Sequence, residues 1–166
     1  MKKDSIFAVR LVKIMMLAGI SILALLVTMG NITDYYSNFY FVEHVLKMDT
    51  TFPQNELKYR SIQSATVYHS AYILLILLEG IMAIFCFIGV SKMISNLKKS
   101  KEEFQNSKVF GIYGLGIGIV IWFIGFEVIG GEWFAMWQST QWNGLGSADR
   151  IVTFITLSLI FICQKD

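Results

Sequence analysis

Three residues in the second apolar stretch of the chain are of types that could do chemistry together. His69, Tyr72 and Glu79 fall at i, i+3 and i+10 of a run that is otherwise largely aliphatic. On a helix of 3.6 residues per turn they share one stripe. An ionised carboxylate alone inside a membrane segment costs at least ~2.5–3.5 kcal/mol, so Glu79 must face a bundle interior, carry a proton or find a partner. It could then carry protons or contact a polar ligand. The plain alternative is a structural hydrogen bond to the backbone or a hydroxyl of a neighbouring helix.

A second set of residues could form an outer pocket: Glu43, His44, Glu127, Glu132, Trp133 and Trp137. His44 and His69 are the only histidines, and two histidines on one side of a membrane could ligate haem or a metal, helped by the nearby acids. The ligands are dispersed, however, with no CxxCH motif and no paired histidines, so any metal is unknown and no cofactor is named. Cys86 and Cys163 lie in separate apolar segments, which speaks against a disulfide framework or a zinc site. No serine, cysteine or aspartate sits in a nucleophile motif, so no catalytic residue is assigned.

The elements that must position these groups follow from composition. Only 16% of the 166 residues are charged and 55% are hydrophobic, and the apolar residues come in blocks. Soluble domains carry about 25% charged residues, with their apolar residues dispersed at helix or strand period. The class is therefore integral membrane, all-α, and lipid is the first partner. A net charge of +2 gives no reason to expect a nucleic-acid partner.

Four spans are expected at about 11–30, 64–90, 109–130 and 148–163, within one membrane domain over 1–166. The first could be read as a signal peptide, but three more spans follow it and we read it as a retained helix. In the outer segment 31–63, Tyr35, Phe39, Val42 and Leu46 recur at helical spacing and predict a short amphipathic helix, capped by Thr33 or Asp34. Ser100 followed by Glu103 is a capping-box pattern that starts a helix after the hairpin at 91–108. Gly111, Gly114, Gly118 and Gly125 share one face of the third span, with Gly114 and Gly118 as a GxxxG pair suited to close helix packing. Trp133 and Trp137, at i and i+4 in the outer segment 131–147, predict a short interfacial helix. Ser147 is the expected cap of the fourth span.

Ten of the fourteen Lys and Arg residues lie at the two ends of the chain and in the 91–108 hairpin, Lys2, Lys3, Arg10, Lys13 and Lys108 among them. The positive-inside rule then places both termini and that hairpin in the cytoplasm. Short connections favour an up-down-up-down four-helix bundle.

The outer segments are distinctive. Asn31-Ile32-Thr33-Asp34-Tyr35, Phe41 to Phe52 (FVEHVLKMDTTF), Gly130 to Ser139 (GGEWFAMWQS) and Trp142-Asn143-Gly144 resemble a bacterial family of small four-span integral membrane proteins catalogued as a domain of unknown function. The resemblance covers nearly the whole chain. It implies a bacterial inner-membrane location with a periplasmic outer face, and no activity. Small size, a glycine face and the lack of catalytic motifs point to a non-enzymatic accessory or interaction subunit, bound to another membrane protein or to a second copy of itself. The alternatives are a metal-, haem- or quinone-binding redox module built on the outer His and Glu residues, and a proton-coupled transport component using Glu79.

Overall fold

The computed structural model describes residues 3–165; Lys2 and the side chain of Lys3, counted above among the N-terminal basic residues, lie outside the described residues. The molecule is all-α. Helix α1 spans Lys3–Thr33, α2 Tyr35–Lys47, α3 Ala65–Ser95, α4 Lys101–Ser107, α5 Val109–Ile119 and α6 Leu145–Cys163. Helix α5 runs directly into a π-helical segment, Val120–Trp133. Single 3-10 turns at Glu56–Arg60 and Met136–Gln138 punctuate the connections. Four helical stretches are long and apolar enough to cross a membrane: Asp4–Thr33, Ala65–Ser95, Lys101–Trp133 and Leu145–Cys163.

Both α1 and α3 have 31 residues, about 46 Å at 1.5 Å per residue. Each exceeds the ~30 Å hydrocarbon thickness. They pack antiparallel but staggered. Near the start of α1, Arg10 donates to the carbonyls of Leu97 and Lys99 beyond the end of α3. Near the end of α1, Asn31 reaches Glu79, halfway along α3. The first three turns of α3 therefore extend past α1, and α2 covers them. Phe39, Tyr68 and Tyr72 are buried at that junction, with Tyr35 and Val42 packed against them.

Small residues set the approach of α3 to α5. A Cβ added at Gly89 would lie 2.5 Å from the backbone nitrogen of Gly111, and one added at Gly114 would lie 2.5 Å from Cys86 Sγ. At Gly118 it would meet Ile155 of α6 at 2.8 Å and Met82 at 2.9 Å. These contacts leave no space for a methyl group, so backbone proximity is enforced by sequence. Leu17, Met82, Cys86, Leu115, Ile121, Ile155 and Ile162 fill the core around this seam.

Gly125 departs from the expected face. A Cβ there would meet nothing closer than Val120 O of its own helix, at 3.6 Å. The face was drawn with 3.6 residues per turn, and the i→i+5 hydrogen bonding that starts at Val120 shifts the register. The last of these bonds runs from Phe134 N to Ile129 O, 3.0 Å.

Several boundaries also differ from expectation. Asp34 precedes α2 but caps no backbone N–H; its carboxylate accepts from Ser37 Oγ at 2.7 Å. Helix α2 closes on Met48, whose left-handed φ of 53° lets its N–H reach the carbonyls of His44 and Val45. The fourth span starts at Leu145 after Gly144, so Ser147 lies inside the first turn rather than capping it. Trp133 ends the long helix and Trp137 belongs to a single 3-10 turn, because Ala135 between them takes a left-handed φ of 51°. The Ser100–Glu103 capping box is formed in both directions.

Candidate functional site

The polar stripe on α3 is completed by residues from α1 and α2. Glu79 is 2% exposed. Its Oε2 accepts a 2.7 Å hydrogen bond from Asn31 Nδ2. Asn31 Oδ1 in turn accepts from Asn38 Nδ2 of α2 at 2.8 Å, and Tyr72 OH donates to the Asn31 backbone carbonyl at 3.4 Å. One asparagine thus joins the carboxylate, α2 and the tyrosine of the stripe. Among the described residues, Glu79 Oε1 has no hydrogen-bond partner.

The stripe continues toward the N-terminal end of α3 through aromatic rings. Tyr35 OH and His69 Nδ1 share a 2.8 Å hydrogen bond, and the His69 ring stacks on Phe39 at 4.2 Å. Tyr35 also meets Tyr72 edge-on, with ring centres 4.7 Å apart. Burial, reinforced by neighbouring Tyr36, holds the Tyr35 phenol above its ordinary range, so it is a neutral hydroxyl at physiological pH. His69 is thereby tied to protein on one nitrogen and sandwiched against a ring.

Glu79 borders a cavity of about 270 Å³ whose walls come from α1, α2, α3, α6 and the π-helical segment. Its polar lining is Asn31, Asn38, Tyr72, Glu79 and Ser147; its apolar lining includes Trp122, Phe126 and Ala148. Among the described residues no Lys, Arg or His lines it. A second, apolar hollow of about 360 Å³ adjoins it between α3 and the π-helical segment. The two share Phe41, Val42, Leu75 and Phe126 as a common wall. The outer lips of the hollow, Leu74, Ile124 and Ile129, are exposed on the lateral surface of the bundle.

The six residues of the expected outer pocket make separate contacts. Lys47 Nζ pairs with Glu43 at 2.5 Å. His44 pairs with Asp49 at 2.8 Å and stacks on Trp142 at 4.6 Å. Arg60 lies over the Trp133 ring at 4.6 Å, and Trp137 meets Phe52 edge-on. Glu132 is exposed. Glu127 turns to a lateral groove beside Thr153 and Thr156, where its buried Oε1 has no hydrogen-bond partner among the described residues. No group of three or more His, Cys, Asp or Glu side chains is placed to hold a metal ion among the described residues.

Sequence reasoning missed Asn31 and Asn38. Asn31 is the first amide or charged side chain after Lys13, and the two asparagines are seven apart, two helical turns. That spacing was the available signal. It was obscured by Asp34, the one residue that separates α1 from α2. Also missed were the basic residues that turn inward at the opposite end. Lys13 and Lys108, both essentially buried, donate to the Gln164 carbonyl at 2.7 and 3.0 Å. Cations at a helix C-terminus satisfy carbonyls and oppose the macrodipole.

No curated protein and no solved structure matches the chain. A family model does, from residue 9 to residue 165, and its description agrees with the four apolar helices. The chain belongs to the family described as predicted small integral membrane protein, DUF2165.

Proposed function

We propose that this chain is a non-enzymatic accessory protein of the bacterial inner membrane that binds a small lipophilic molecule at the Glu79–Asn31 cavity. The observation that carries this reading is a buried carboxylate held through one oxygen by an asparagine and facing an open cavity with the other. A purely structural carboxylate spends both oxygens on protein groups, whereas the second oxygen of Glu79 is left for a donor in the cavity. A cavity of this size falls just below the usual ~300–1,000 Å³ range for small-molecule sites. The absence of a nucleophile motif and of converging metal ligands among the described residues leaves binding, rather than turnover, as the reading best supported.

In this reading the chain is one membrane domain whose four helices cross up-down-up-down. Both termini and the 91–108 hairpin face the cytoplasm, supported by the Lys and Arg asymmetry. The Glu79 cavity then opens toward the outer half of the bilayer.

The test is native mass spectrometry of the full chain purified from its own membranes in mild detergent. An adduct of defined mass on the wild type, lost in Ala148→Leu, is the expected result, because Ala148 is 1% exposed and lines the cavity. A wild type with no adduct, and with no gain in thermal stability when lipid extract of its own membrane is added, would overturn the reading.

A further inference from the structure

We propose that the occupant is a single-chain amphiphile with an amine head: the head pairs with Glu79 in the polar cavity and the chain lies in the adjoining lateral hollow. This rests on the binding reading above and gives it a ligand class.

The head follows from the polar lining. Among the described residues Glu79 Oε1 is without a protein partner, while Asn31 gives one amide N–H to Glu79 and Asn38 gives one to Asn31. The Tyr72 hydroxyl donates to a backbone carbonyl. The polar groups left to the cavity are the second amide N–H of each asparagine, the Ser147 hydroxyl and the free carboxylate oxygen, and the carboxylate is the one ionisable carboxyl or basic group among them. A head that donates hydrogen bonds is complementary, and a positively charged donor makes the stronger, charge-assisted bond to a carboxylate. Trp122 and Phe126 belong to the same wall, and aromatic surroundings favour a cation over a neutral head. A phosphate head finds no Lys, Arg or His here among the described residues.

The tail follows from continuity. The lateral hollow is lined almost wholly by aliphatic and aromatic side chains, shares four wall residues with the polar cavity, and opens on the surface that faces lipid. At about 360 Å³ it is too small for a partner helix, which with side chains is ~10–12 Å across, and it suits one flexible chain. An amphiphile could therefore enter sideways from the bilayer, head first.

The test uses the full chain in lipid nanodiscs and two nitroxide-labelled probes, a dodecylamine and the matched dodecanol, each expressed as a mole fraction of the bilayer. Trp122 lines the cavity, so its quenching, read as wild type minus Trp122→Phe, reports occupancy. Saturable quenching by the amine, about tenfold tighter than by the alcohol, is expected. Glu79→Gln, which keeps an acceptor for Asn31, should abolish that preference. Leu74→Trp at the exposed lip should weaken the dodecyl probe while leaving a butylamine probe unchanged. Equal saturation by amine and alcohol, or a preference that survives Glu79→Gln, would overturn the amine assignment and leave the binding reading standing on its adduct. No saturable quenching by either probe would overturn the amphiphile, and joined to a wild type with no native adduct it would overturn both readings.

Discussion

Asn31 donates a 2.7 Å hydrogen bond to Glu79, which joins the last turn of α1 to the middle of α3. This bond marks the stagger between α1 and α3. It also places Glu79 level with the polar end of α1, where the chain leaves its aliphatic run. Counting along α3, this carboxylate lies at the middle of the helix. Measured against α1, it sits level with the last turn, where the chain passes into the segment that carries α2.

Removing the asparagine should expose the cost of the carboxylate. Asn31→Ala leaves Glu79 buried without its partner, and unfolding in mixed detergent should show a loss of about 2 kcal/mol. Asn31→Leu combined with Glu79→Leu removes both polar groups and should recover most of that loss. The coupling in a double-mutant cycle is expected at about 1–2 kcal/mol, the upper end for hydrogen bonds between membrane helices. Additive single mutants would show that the pair contributes no net coupling.

The helix seam makes a graded prediction. Gly89→Ala and Gly114→Ala push a methyl into backbone or into Cys86, and each should destabilise by about 1–3 kcal/mol. Gly116→Ala meets nothing within 4 Å and should be neutral or slightly stabilising. Gly125→Ala, in ordinary contact only with its own helix, should behave like Gly116→Ala. Thermal unfolding of the four variants decides whether the seam or the sequence motif is the better guide.

What the sequence made legible is what periodicity and local chemistry determine. The four apolar spans, the short helix through Tyr35 and Leu46, and the Ser100–Glu103 box all depend on residues within a few turns of each other. The partners of Glu79 were not legible, because they depend on how far α1 slides along α3. The placement of Gly125 was lost for a different reason. A face drawn at 3.6 residues per turn fails once the hydrogen bonding widens at Val120. Gly89 was overlooked because its role appears only when α5 brings Gly111 against it.

Arg10 should not tolerate lysine. Its guanidinium donates to the carbonyls of Leu97 and Lys99 at 3.0 and 2.8 Å while lying over the Phe104 ring at 4.4 Å. Nη1 serves both of those carbonyls while Nη2 reaches the Ser100 carbonyl at 3.4 Å, so the planar fork meets three acceptors through two nitrogens and a ring face at once, a geometry that a single ammonium cannot reproduce. Arg10→Lys should lower stability by about 1–2 kcal/mol and Arg10→Ala by more. Equal stability of Arg10→Lys and wild type in detergent unfolding would show that charge alone suffices at this site.

The orientation proposed for the chain can be read from thiol labelling. Cys163 is exposed near the end of α6 and Cys86 is buried in the core, so Cys163→Ala leaves a background that should be unreactive to a bulky impermeant reagent. Single cysteines are then placed at Lys98 in the hairpin and at Gln141 in the tryptophan-rich segment, both exposed positions. In intact spheroplasts the cysteine at 141 should label within minutes and the one at 98 only after the membrane is permeabilised. The basis is the charge rule: Lys98, Lys99 and Lys101 crowd the hairpin, while the stretch from Glu132 to Asp149 contains no Lys or Arg at all. Labelling at 98 in intact spheroplasts, with 141 protected, would invert the molecule. The Glu79 cavity would then open toward the cytoplasmic leaflet, and its occupant would have to be sought there.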